Sequence, residues 1–118
     1  MNEKGYSRID RVSAAIVKIL AVPISDMARE SGAGMATINR VVVSPDLRRA
    51  TITISLYADD DAKATFKEHL EQQGYLLQKQ LARHLKSKRT PVIGFEIDEQ
   101  AEAIDRIGRL LSDDEIIN

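Results

Sequence analysis

The chain has 118 residues, 43% hydrophobic and 30% charged, with a net charge of −1; this is the balance of one folded domain with a single core, not of a disordered chain. It has no cysteine, which excludes disulfides, thiol catalysis and zinc–cysteine sites and suits a reducing cytosol. No apolar run nears the roughly 20 residues that cross a bilayer, and the opening Met-Asn-Glu-Lys-Gly has no apolar stretch behind it, so neither a membrane span nor a secretory signal is expected.

From Tyr6 to about Leu20, Ile9, Val12, Ile16, Ile19 and Leu20 recur at helical spacing. Ser7 is the expected N-cap, and Arg8, Arg11 and Lys18 fall off the apolar stripe. Pro23 is expected to end this helix or restart the chain after it. Residues 24–34 hold a short helical turn capped by Ser25 or Asp26, then a loop at Gly32-Ala-Gly34.

Two strands follow. Thr37 to Val43 is rich in β-branched residues. Residues 50–57 alternate, with Ala50, Ile52, Ile54 and Leu56 on one face and Thr51, Thr53, Ser55 and Tyr57 on the other. The connection Ser44-Pro-Asp-Leu-Arg-Arg49 is too short for a parallel crossover, so the pair is an antiparallel hairpin. Arg48 and Arg49 stand at its tip or its second strand's start. As neighbours they point to opposite faces, and at least one is exposed.

Asp59-Asp-Asp61 caps a helix on which Ala62, Phe66 and Leu70 share the inner face. Gly74 interrupts the pattern, which resumes with Leu77, Leu81 and Leu85. This predicts a kink or a helix-to-helix corner at Gly74, with Thr90-Pro91 stopping the second helix. Val92 to Ile97 is a third strand, with Ile93, Phe95 and Ile97 on one face. Glu99 to Leu111 is a last helix using Ile104, Ile107 and Leu111, and 112–118 is a flexible acidic tail. The order is helix, strand, strand, helix, kink, helix, strand, helix. That is an α+β domain with a three-stranded mixed sheet and helices packed on one face.

Charge is unevenly spread. Residues 1–62 balance eight Lys/Arg against eight Asp/Glu; residues 63–90 carry seven against two, and residues 91–118 two against eight. Lys79, Arg83, Lys86, Lys88 and Arg89 have no acidic residue among them. Lys79, Arg83 and Lys86 are read as one side of the helix, with Lys88 and Arg89 extending it into the next turn. A solvated cationic face near a helix C-terminus and a phosphate-binding face use the same residues. Phe66 and Phe95 read as core, so a base-stacking platform has little support.

Catalytic readings find little to stand on. His69 and His84, the two histidines, fall on different predicted helices without Asp or Glu at ligand spacing. His69 reads as a solvated helix residue and His84 as part of the basic face. Gly32-Ala-Gly34 lacks the third glycine and the Lys-Ser/Thr of a phosphate loop, and Asp59–Asp61 is explained by capping. No cofactor, metal or small-molecule substrate is expected.

Met35-Ala-Thr-Ile-Asn-Arg-Val-Val-Val-Ser-Pro-Asp-Leu-Arg-Arg-Ala-Thr-Ile-Thr-Ile-Ser55 closely resembles the strand–turn–strand signature of the bacterial ribosome-binding factor A family, above all at Val-Ser-Pro-Asp-Leu-Arg with Ala50 just after. Arg89-Thr-Pro-Val-Ile-Gly-Phe-Glu-Ile-Asp98 looks like the family's third strand. The N-terminal helix and Ile107 to Leu111 also fit, so the resemblance spans about residues 6–111. It implies a single KH-like domain of the type II arrangement over residues 1–111. Family members carry an Ala-x-Gly kink between two helices; here the stretch is Gln72-Gln-Gly74, which keeps the glycine and not the alanine.

The resemblance further implies a non-catalytic, cytoplasmic, monomeric assembly factor. Such a factor binds the free 30S subunit and its 16S rRNA late in maturation, supports processing of the rRNA 5′ end and is often needed in the cold. Arg8, Arg11, Arg48, Lys79, Arg83, Lys86, Lys88 and Arg89 are then the candidate rRNA phosphate contacts. The alternative is a protein-interaction module that presents Thr51, Thr53, Ser55 and Tyr57 on the exposed sheet face while the basic helix is merely solvated.

Overall fold

The structure is a computed structural model that describes residues 3–98, with side chains from residue 8 onward. The elements, in order, are α1 (Glu3–Glu30), β1 (Met35–Val43), β2 (Arg49–Tyr57), α2 (Asp60–His84) and β3 (Val92–Ile97). The helix expected over 99–111 and the tail 112–118 lie outside the described residues.

The sheet has the order β1-β2-β3, with β1 antiparallel and β3 parallel to the central β2. It is therefore mixed, as the long return through α2 requires. The alternation read in β2 is the alternation observed: Ala50, Ile52, Ile54 and Leu56 are buried beneath the helices. A register shift between Ile38 and Arg40 inserts Asn39 as a bulge. Ala36 and Ile38 before it, and Val41 and Val43 after it, thereby pack toward the same core.

Both helices are longer than their local signals suggest. α1 passes through Pro23 and ends at Glu30, so Ser7 lies inside the helix, and neither Ser25 nor Asp26 starts a new one. A proline inside a helix loses one hydrogen bond and crowds the carbonyl four residues back, a cost of about 3 kcal/mol. Here Ile16, Leu20, Ile24, Met27 and Ala28 form one unbroken buried stripe on both sides of Pro23. Each of the large side chains contributes roughly 1.5–3 kcal/mol by burial, which outweighs the defect. The helix ends in a Schellman motif. Gly32, at φ 86°, donates to Arg29 O, and Ala33 donates to Ala28 O at 2.9 Å.

α2 likewise runs unbroken through Gly74, so the expected corner does not form. The glycine's penalty of about 1 kcal/mol is small beside Phe66, Leu70, Leu77 and Leu81, buried on either side of it. A Cβ at Gly74 would meet the Phe95 ring at 3.9 Å, an ordinary contact. The other end departs from expectation too. α2 stops at His84 with Leu85 as C-cap, well before Thr90-Pro91. Leu85 is buried, and its return to the core turns the chain out of the helix.

Candidate functional site

The geometry of the hairpin turn sets the site. Pro45 and Asp46 occupy the middle of a turn closed by the Leu47 N–H on Ser44 O at 2.9 Å. Leu47 then adopts φ 60°, a left-handed conformation that costs a side-chain-bearing residue roughly 1–2 kcal/mol. Its side chain is buried in the core cluster, and that burial holds the strained backbone in place. The polar groups of the turn close on each other. Ser44 Oγ donates to Asp46 Oδ1 at 2.6 Å, and Arg48 N donates to the same oxygen at 3.1 Å. Arg49 N in turn donates to Ser44 Oγ at 3.0 Å. These bonds hold the Asp46 carboxyl below its usual range, the Ser44 hydroxyl contributing most and the Arg48 amide next. Arg48 and Arg49 therefore leave a fixed turn with both side chains exposed.

The loop from α2 to β3 arrives at this same turn. Val92 N donates to Arg48 O at 2.9 Å, and Arg49 pairs with Val92 in the sheet register. Leu85 and Pro91 are buried at the two ends of the loop, which throws Lys86, Lys88 and Arg89 outward. Arg83, in the last turn of α2, is exposed next to them in sequence. Arg48, Arg83, Lys86, Lys88 and Arg89 thus gather at the hairpin-tip end of the domain. Arg49 joins them, although the sequence analysis left it out of the candidate set; its adjacency to Arg48 was the available signal. Among the described residues the one ion pair at this end is the loose contact of Arg48 Nε with Asp46, at 3.9 Å.

Three candidates sit differently. Lys86 belongs to the loop and not to the helix face on which it was expected with Lys79 and Arg83. Lys79 lines a groove between α2 and β3. Arg8 and Arg11 are exposed on α1, about 30–35 Å along the helix from Ser31 at 1.5 Å per residue. Because Ser31 lies beside the first half of α2, those arginines lie toward the end where α2 finishes.

The opposite end of the domain is acidic, and its charges are engaged. Asp59 Oδ1 accepts from Ala62 N at 2.8 Å and caps α2, with Asp60 and Asp61 in the first turn. Asp26 pairs with Arg29. Asn39 donates to Asp98 at 2.7 Å, and alternation places both on the face away from the helices, so this bond spans β2. His69 is not a solvated residue: its Nδ1 lies 2.8 Å from Ser31 Oγ, tying the end of α1 to α2. The open sheet face also differs from the interaction surface expected of it. Thr53 is buried, whereas Tyr57, Met35, Val42 and Val92 are exposed.

Comparison with known proteins agrees with this architecture. The family model described as "Ribosome-binding factor A" matches residues 8–111. The chain is 31% identical over 107 residues to ribosome-binding factor A of Rippkaea orientalis, covering 89% of this chain and 84% of the relative. It is 33% identical over 100 residues to the Neisseria meningitidis FAM18 protein of the same name, covering 85% and 80%. The crystal structure of ribosome-binding factor A from Thermus thermophilus superposes with a TM-score of 0.54 at 15% identity, over 78% of this chain and 92% of that one. That last likeness is one of fold.

Proposed function

The chain belongs to the ribosome-binding factor A family, and from that premise we propose that it binds the free 30S subunit, contacts its 16S rRNA late in maturation and supports processing of the rRNA 5′ end. Growth in the cold is where its loss is felt most. It acts in the cytoplasm, as a monomer, by binding rather than turnover. Arg48, Arg83, Lys86, Lys88 and Arg89 supply the main phosphate contacts, with Arg8, Arg11 and Lys79 on the flanks.

The observation that carries this reading is the collection of cations at the hairpin tip with almost no internal counter-charge. Cations held on a fixed turn and a short anchored loop are an electrostatic footprint for a polyanion. Recognition on this reading is of backbone and shape, since no aromatic residue stands among the cations for bases to stack on.

Sedimentation with purified 30S subunits tests it. The protein is expected to travel with free subunits at low salt and to be released as salt rises, because each neutralised phosphate returns a counterion to solution. A protein that stays at the top of the gradient at low salt sinks the proposal.

A further inference from the structure

β3 is an edge strand, and its two sides are used differently. Val92 N and Asp98 N donate to β2, to Arg48 O and Ile54 O. In a parallel ladder the bonding residues alternate, so the even-numbered residues of β3 pair with β2. The backbone groups of the odd-numbered residues point to the outer edge. At the start of that edge they are occupied. The Gln78 side chain of α2 donates to Pro91 O at 2.8 Å and accepts from Ile93 N at 2.9 Å. One side-chain amide thus makes the two bonds that a neighbouring strand would make to residues i and i+2. Beyond it, Ile93 C=O, both backbone groups of Phe95 and Ile97 N–H have no partner among the described residues.

This edge borders a groove. α2 rises away from β3 to leave two adjoining concavities that share Leu70 and Phe95. The larger, about 480 Å³, also takes in Gly74, Tyr75 and Ile93. Lys67 stands at one end of the groove and Lys79 toward the other, with Glu71 between. An apolar floor, a row of strand-edge amides and carbonyls and a lysine near each end describe a receptor for an extended chain. Glu71 in the wall and the small cationic excess disfavour a polyphosphate strand here. The dense cations are at the hairpin tip instead.

We infer that the β3 edge from Ile93 to Ile97 takes an extended segment of a protein partner by strand addition. The segment has apolar residues at alternate positions, seated over Leu70 and Phe95, and acidic residues flanking them, facing Lys67 and Lys79. Gln78 sets where the added strand begins, because its amide already fills the Pro91–Ile93 position. This surface is separate from the proposed rRNA contacts and independent of them.

The test uses the full chain and a ten-residue capped peptide alternating valine and glutamate. Its controls are the same peptide with lysine for glutamate and a ten-nucleotide oligouridine. With the valine–glutamate peptide, amide exchange at Phe95 and Ile97 is expected to slow about tenfold or more, while the β2-facing amides of Gly94 and Glu96 change little. Ile97→Pro removes one outward N–H and leaves the β2 ladder intact, as proline is tolerated on an edge. It is expected to weaken the peptide about tenfold relative to Ile97→Ala, which controls for the lost side chain. The inference is overturned if the peptide does not bind at millimolar concentration. It is also overturned if the peptide shifts Lys67 and Lys79 without protecting Phe95. Protection by oligouridine would assign the groove to nucleic acid, and protection that grows with protein concentration alone would assign it to a second copy of this chain; either result overturns it.

Discussion

The two ends of the domain differ in what their charges do. At the end where α1 finishes and α2 begins, Asp59 caps a helix, Asp26 meets Arg29 and Asp98 accepts from Asn39. At the hairpin tip, Arg49, Arg83, Lys86, Lys88 and Arg89 are exposed, and no ion pair holds them among the described residues. Charges with an internal partner support the fold. Like charges gathered without one destabilise it slightly by repulsion, and such an arrangement is consistent with a partner outside the molecule. Stability and affinity should therefore respond to mutation at opposite ends.

The sharpest break of this comparison is charge reversal at the cationic end. Arg83→Glu, Lys86→Glu and Lys88→Glu together are expected to lower 30S affinity on the order of a hundredfold at low salt. The slope of log K against log salt should become shallower by about 2–3. The melting temperature should barely move, since exposed substitutions are usually worth within about 0.5 kcal/mol. Gradient sedimentation across a salt series and thermal melts read both arms. Unchanged affinity would move the contact surface elsewhere on the domain.

The reverse pattern is expected at the other end. Asp59→Ala leaves Ala62 N without its cap and should cost about 1 kcal/mol in a denaturant melt, with 30S binding unaltered once the protein is folded. A drop in affinity without a drop in stability would erase the division between the ends.

Gly74 lies between them and tests the long helix that joins them. Gly74→Ala adds a Cβ that meets Phe95 in ordinary contact, so it should stabilise α2 by up to about 1 kcal/mol. If the straight helix is the form that binds, affinity holds while the melting temperature rises. A more stable variant that binds less tightly would show that a bend at this glycine is used on the ribosome.

The smallest effect belongs to Asp46. Its carboxyl is held below its usual range by Ser44 and by the Arg48 amide. A depressed folded-state pKa contributes stability above the unfolded carboxylate pKa, and that contribution is lost as pH falls through the folded value. The turn should therefore keep its Arg48 amide signal down through the ordinary carboxylate range and lose it only at more acid pH. Asp46→Asn should flatten that titration. A midpoint at the ordinary carboxylate value would mean that Arg48 is not held by this turn.

Much of this was legible in the chain. The alternation of Ala50, Ile52, Ile54 and Leu56 and the stripe Phe66, Leu70, Leu77, Leu81 are burial patterns, and burial is what a sheet face or helix face is selected for. The hairpin, the Asp59 cap and the Gly32 loop are local chemistry and read correctly for the same reason. The errors share one cause. Pro23 and Gly74 are local breakers, and Ser7 and Thr90-Pro91 are local start and stop signals. Each was outweighed by apolar residues that continue on its far side or, at Leu85, by a return to the core. His69, expected in solvent, bonds Ser31 from 38 positions away, a pairing that no local window contains.

The sequence by itself determined the elements, the inward faces and the presence of a cationic segment, because periodicity, capping and charge are local properties. Only the tertiary structure decided which cations stand together. Val92 bonded to Arg48 brings the loop of Lys86, Lys88 and Arg89 against a turn some forty residues earlier, while Lys79 is turned into a groove. It also decided that Leu47 accepts a left-handed backbone, that Asn39 reaches Asp98 across the sheet and that Gln78 occupies part of an open edge. Each of these joins groups far apart in the chain. Their energies come from burial and hydrogen bonding between elements, which spacing along one element does not encode.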